Sequence, residues 1–129
     1  MNALYNSFDV LLSPSMGEGF GIPIIEAQAA GCPVIVGDWT AMSELCLSGW
    51  KIAEKDATPI WTTLAANQYI PHVAAIDDTL ETAYKQAATM RVMAAKRAKI
   101  YDADRVMEKY WKPALKEIGE GVDAWQPSA

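Results

Sequence analysis

Apolar residues in the first third of the chain come in short unbroken runs, and in the last third they are spaced out among charges. The run FDVLLSPS (Phe8 to Ser15) ends in Ser-Pro-Ser, which predicts a buried strand emptying into a loop. After the loop Met16 to Gly21, the spacing predicts a helix over Ile22 to Ala30. Pro23 stands in its first turn and Gly31 just past its end, the positions that helix termini favour. PVIVGD (Pro33 to Asp38) is β-branched and uninterrupted, as expected of a strand covered on both faces. A short helix over Thr40 to Leu47 and a short strand over Gly49 to Ala53 follow. Strand, helix, strand, helix, strand is the α/β order, with parallel strands and right-handed crossovers.

The segment Glu54 to Asp77 holds Pro59, Trp61, Tyr69, Pro71 and the single histidine, His72. Its pattern predicts a long connection with one further short strand around HVAAI. From Asp77 to about Tyr101 a helix is expected, opening with acids and closing with bases that complement its dipole. A second helix is expected from Ala103 to about Gly119, then a short tail with Trp125 and Pro127. No internal repeat or low-complexity segment interrupts this order.

Composition narrows the classes. At 129 residues, 51% apolar and 21% charged, the chain is expected to form one globular domain with a real core. A net charge of −5, with no block of Lys or Arg, argues against nucleic acid or an anionic membrane surface as the main partner. Cys32 and Cys46 are too few for a disulfide framework, and Cys32 reads as a small buried hydrophobe. There is no basic leader at the N-terminus and no apolar run of membrane-spanning length, so a cytoplasmic location is the expectation.

The candidate chemistry sits in GEGFGIPIIEAQAAG (Gly17 to Gly31), where Glu26 is the only charged residue between Gly19 and Val36. A carboxylate in so apolar a run is costly unless it has a task. The turn from Gly17 to Gly21 lies between a strand and a helix, where open α/β sheets bind ligands. Its glycines let the backbone approach a ligand, and the free N–H groups from Gly21 to Ile24 favour an anion such as phosphate. At about 100° per residue, Glu26 shares a face with Ile22, Ala29 and Ala30 and points away from Gln28. A carboxylate beside a phosphate site does not bind the phosphate, but it accepts hydrogen bonds from sugar hydroxyls.

DVLLSPSMGEGFGIPIIEAQAAGCPVIVGD resembles the donor-binding half of the retaining GT-B glycosyltransferases, specifically family 4, also called glycosyl transferases group 1. The family pattern is close to P-S-x-x-E-G-F-G-x-P-x-x-E-A-x-A-x-G-x-P-V. Pro14, Ser15, Glu18, Gly19, Phe20, Gly21, Pro23, Glu26, Ala27, Ala29, Gly31, Pro33 and Val34 all match it. MSELCLSGWKI resembles the family's next segment, and YDADRVMEKYWKPALKEI is similar to its closing helix.

The resemblance implies a Rossmann-like, three-layer partial domain over residues 1–129. It would have a short parallel sheet, flanking helices and two long C-terminal helices, truncated at its N-terminal side. It implies a nucleotide-diphosphate sugar as donor substrate, no cofactor and no metal. Glu26 would hold the ribose hydroxyls and Glu18 would act at the transferred sugar, as the catalytic residue. Gly19, Phe20, Gly21 and Ile22 would contact the sugar and diphosphate, with the helix start stabilising charge on the leaving group.

The departures are informative too. The resemblance starts partway into the donor domain, so the family's acceptor domain and its diphosphate-binding Arg and Lys are expected to be missing, and no Arg or Lys precedes Lys51. Activity of the isolated chain is therefore open, and a catalytically inactive remnant or assembly module is the alternative. The strand Phe8 to Leu12 would expose one edge, which predicts a homo-oligomer or a separate acceptor-domain polypeptide at that edge. A dinucleotide-binding oxidoreductase is imitated by Gly17-x-Gly19 with Asp38 downstream, but Ile22 stands where its third glycine belongs. His72 reads as a structural or surface residue, Trp61, Tyr69 and Trp111 as core or packing residues, Asp38 as a turn residue, and Glu44 as helix surface or a family position.

Overall fold

The computed structural model describes residues 1–124; Trp125 and Pro127 of the expected tail lie outside them. The chain divides into two compact units, the first spanning Met1–Lys99 and the second starting at Ile100.

The first unit opens with helix α1 (Asn2–Asn6) and then alternates β1 (Leu11–Ser13), α2 (Ile22–Ala29), β2 (Val34–Gly37), α3 (Thr40–Leu45) and β3 (Gly49–Ile52). The three strands form one parallel sheet in the order β1-β2-β3, with Leu12 beside Ile35 and Ile35 beside Trp50. All four residues of β2 are buried, as its Val-Ile-Val run predicts for a strand covered on both faces. Ile24 of α2, Ile35 of β2 and Met42 of α3 are among the largest fully buried side chains and define the core. The architecture is α/β and Rossmann-like, as expected.

The first strand is shorter than its apolar run, Leu11–Ser13 instead of Phe8 to Ser15. Phe8 to Val10 form instead the connection from α1, and Arg91 donates to the carbonyls of Phe8 and Asn6 to hold it. β1 pairs with β2 alone among the described strands, leaving its other edge without a strand partner.

The segment after β3 differs most from expectation. A short 3-10 turn, Glu54–Asp56, leads into an antiparallel hairpin of β4 (Ala57–Trp61) and β5 (Asn67–Pro71). Its two prolines disguise it in the sequence. Pro59 faces Tyr69 and Pro71 faces Ala57, two steps apart in register, so both fall in the same class of pair. That class must be the non-hydrogen-bonded one, where proline's missing N–H costs no ladder bond. HVAAI is not a strand: His72 precedes and Val73 begins helix α4 (Val73–Ala98). The small residues Ala83, Ala94 and Ala98 are buried, allowing α4 close against α2 and β3.

The second unit is one helical run of three pieces, α5 (Ala103–Val106), a wider π-type turn Met107–Trp111, and α6 (Lys112–Ala124). The Asp102 side chain accepts from the Arg105 N–H and caps its start. Trp111, expected to pack, is 56% exposed here, and Trp61 at the end of β4 is 68% exposed.

Candidate functional site

The glycine-rich loop leaves β1 at Ser13 and enters α2 at Ile22. Gly21 makes the entry with φ 98° and ψ 53°, a left-handed conformation that favours glycine. A β-carbon there would sit 3.0 Å from Cδ1 of Ile24 and 3.3 Å from Cδ1 of Leu45. No side chain caps α2, and Pro23 contributes no N–H. The Ile24 N–H is taken by the Gly21 carbonyl at 3.0 Å. The N–H groups of Gly19, Phe20, Gly21 and Ile22 have no hydrogen-bond partner among the described residues. The helix start therefore offers free donors and the positive end of its dipole to an anion.

Glu18 is half-buried within the loop, while Gly19 is exposed. Phe20 and Ile22 are 53% and 60% exposed, two large apolar side chains at the helix mouth that the core does not use. Glu26 is exposed along with Ile22 and Ala29, and Gln28 on the opposite side is fully buried, as the helical spacing predicts. The Tyr5 hydroxyl of α1 donates to Oε2 of Glu26 at 3.2 Å. Tyr5 is buried, and burial followed by the Glu26 carboxylate pushes its hydroxyl pKa up. Glu26 lines an open cleft of about 360 Å³ with Tyr5, Asn2, Ala29 and Ala30. Glu18 and the loop do not line this cleft. The two glutamates thus do not share this cleft.

Lys51 and Arg97 are engaged away from the loop. Lys51 pairs with Asp38 at 3.1 Å and donates to Ser43. The Ser43 hydroxyl, then Lys51, hold the Asp38 carboxyl below its ordinary range, which suits a residue that organises the end of β2. Arg97 donates to the Leu47 carbonyl at 2.7 Å. His72 is exposed, with Nε2 3.1 Å from the Thr58 hydroxyl, and lines a polar cleft of about 300 Å³ with Lys51, Asp56 and Asp78.

Three features escaped the sequence. Tyr5 gave no sign of reaching Glu26, since a five-residue helix is too short to show a period. Gln28, polar and wholly buried, bonds four main-chain groups and ties α2 to the turn between α3 and β3. Trp39 and Thr40 reach back to the loop, from a point more than twenty residues downstream.

Residues 1–66 match the family model described as glycosyl transferases group 1. Over 67 residues the chain is 37% identical to the O-antigen chain mannosyltransferase RfbU of Salmonella typhimurium, covering 52% of this chain and 19% of that protein. Over 45 residues it is 42% identical to the lipopolysaccharide core biosynthesis mannosyltransferase LpsB of Rhizobium meliloti, covering 35% and 13%. It is also 44% identical over 45 residues to the uncharacterized glycosyltransferase MJ1607 of Methanocaldococcus jannaschii, covering 35% and 12%. The matched stretches thus span a fifth or less of these relatives. No solved structure matches at the same stringency.

Proposed function

The chain belongs to the glycosyl transferases group 1 family, and on that premise we propose that its first unit is the donor side of a sugar-transfer site. The ligand is a nucleotide-diphosphate sugar. One observation carries this reading: the uncapped start of α2, with free N–H groups, is preceded in the chain by Glu18 and followed about one turn on by Glu26. The diphosphate docks on the free donors of Gly19 to Ile22, and the hydroxyls of the ligand go to the carboxylates. Glu26, braced by Tyr5, takes the ribose, and Glu18 takes the transferred sugar.

In the reaction, the bond between the anomeric carbon and the phosphate oxygen breaks, and its electron pair leaves with the nucleoside diphosphate. Fixed N–H dipoles stabilise that charge without reorganising. Glu18 stabilises the positive charge on the sugar. The acceptor hydroxyl oxygen forms the new bond to the anomeric carbon, and its proton passes to the leaving phosphate oxygen, with retention at the anomeric carbon. No cofactor or metal enters this scheme. Transfer requires an acceptor-binding part, which we place on a separate polypeptide region or a second copy meeting the open edge of β1. We assign the protein to the cytoplasm; no helix among the described residues is long and apolar enough to cross a membrane.

Calorimetric titration with GDP- and UDP-linked sugars and NAD tests the reading. Two relatives are named mannosyltransferases, so mannose-bearing nucleotides are the first probes. Binding of a sugar nucleotide and not of NAD is expected. NAD binding alone would favour the oxidoreductase, and binding of neither would favour the inactive remnant.

A further inference from the structure

The loop that carries Glu18 has no regular structure of its own, and three of its residues are glycines. Such a segment is held in one shape only by outside contacts. Here they converge from two places. From the start of α3, the Trp39 indole N–H donates to the Ser15 carbonyl at 3.2 Å, and the Thr40 hydroxyl accepts from the Glu18 N–H at 3.1 Å. From the hairpin, the Tyr69 N–H donates to the Met16 carbonyl at 3.0 Å. That N–H is free to do so because Tyr69 faces Pro59, in a pair that exchanges no ladder bonds.

The anchors also support one another. The Trp39 and Tyr69 rings lie 5.2 Å apart, tilted by 31°. Trp39 is buried, and its ring lies so close to Gly37 that a β-carbon there would fall 2.2 Å from it. Thr40 has φ 53°, a left-handed conformation in which a β-branched residue is an outlier. Strain of this kind persists where the surroundings impose it and is concentrated at functional sites. The strained residue is the one whose hydroxyl meets the Glu18 N–H, and its methyl group lies against Gly17.

We propose that Trp39 and Thr40, backed by the β4–β5 hairpin, are positioning residues that hold the Glu18 loop in its ligand-binding shape. The hairpin is then a brace for the site and not a passive insertion. This inference rests on the donor-site reading for its consequence, but its physical content is a property of the free protein.

The test uses the full chain. Thr40→Val keeps the shape and removes the acceptor, while Thr40→Ser keeps the hydroxyl. Amide hydrogen exchange by NMR, without ligand, should show Glu18 exchanging about tenfold faster in Thr40→Val and near the original rate in Thr40→Ser. The same valine variant should bind the sugar nucleotide about five- to tenfold more weakly, with the melting temperature lowered by no more than about 5 °C and with serine restoring affinity. Trp39→Phe retains the ring over Gly37, loses the bond to Ser15, and should show the same loosening through Met16 and Gly17. An unchanged Glu18 exchange rate in Thr40→Val overturns the proposal. So does a loosened loop whose affinity for the sugar nucleotide is unaltered. Should the parent chain bind no sugar nucleotide, the donor-site reading fails, and the exchange rates alone decide whether the brace exists.

Discussion

Replacing Gln28 by methionine keeps the length of the side chain and removes every bond it makes. Its Nε2 donates to the Ile24 and Leu45 carbonyls, both at 2.8 Å, and its Oε1 accepts from Leu47 N–H at 2.9 Å and Ser48 N–H at 2.8 Å. The Leu47 N–H retains a second partner, the Leu45 carbonyl at 2.9 Å. The Ser48 N–H has none among the described residues, and Ser48 is 1% exposed. An orphaned buried N–H costs about 1–3 kcal/mol, and each of the two lost bonds to carbonyls about 1 kcal/mol. Methionine's better burial offsets roughly 1 kcal/mol of this, leaving a net loss of about 2–4 kcal/mol. Against a native stability of about 5–15 kcal/mol that is a large fraction. Urea denaturation should show the midpoint falling by about 1 M or more with an unchanged slope. A loss below about 0.5 kcal/mol would refute the assignment of Gln28 as a buried bridge. Gln28→Glu gives a second reading of the same site. Its neutral form satisfies one carbonyl and the two N–H groups, while its ionised form faces two carbonyls. Its folded pKa is therefore raised above about 4.3. Stability is then fully present below that value and lost as pH rises through the folded pKa. A flat urea midpoint from about pH 4 to 7 contradicts the geometry.

Gly21→Ala should cost about 2–3 kcal/mol in the same assay, from a left-handed φ plus crowding against Ile24 and Leu45, and an unaffected midpoint would place the loop differently. Tyr5→Phe should weaken sugar-nucleotide binding about three- to tenfold, because Glu26 loses its brace; equal affinity by titration would show that Glu26 needs no orienting partner. Cys46 is pushed up to about 11 by burial, so its thiol should alkylate far more slowly at pH 9 than a free thiol, until urea unfolds the chain. Its raised pKa contributes stability below the ordinary thiol value of about 8.5, lost as pH rises toward 11, and rapid native-state alkylation would contradict that burial.

Much of the fold was legible because burial and backbone constraints left marks on residue type. The β-branched run of β2, Pro23 inside the start of α2 and Gly31 beyond its end located α2 and β2 to within one residue, while β1 is shorter than its apolar run. The facing of Glu26 away from Gln28 followed from helical geometry alone. Other features are non-local, and no pattern of hydropathy carries them. Gln28 is polar and buried, so a polarity count puts it at the surface. Pro59 and Pro71 look like strand breakers until the register shows that neither ladder position needs an N–H. Thr40 gives no sign in the sequence of a positive φ, because the tertiary contacts of Trp39 and the loop impose it. For the site, residue spacing drew attention to both glutamates, but Tyr5, Trp39 and Tyr69 enter only once the chain is folded.

The most direct measurement pairs one variant with one altered ligand. A sugar nucleotide whose ribose lacks its hydroxyls is titrated against the parent chain and against Glu26→Ala. If Glu26 holds the ribose, the parent loses about tenfold or more in affinity on removing the hydroxyls, and Glu26→Ala, already weaker, loses little further. An equal loss in both proteins would contradict the account, because the hydroxyls would then be bound by something other than Glu26.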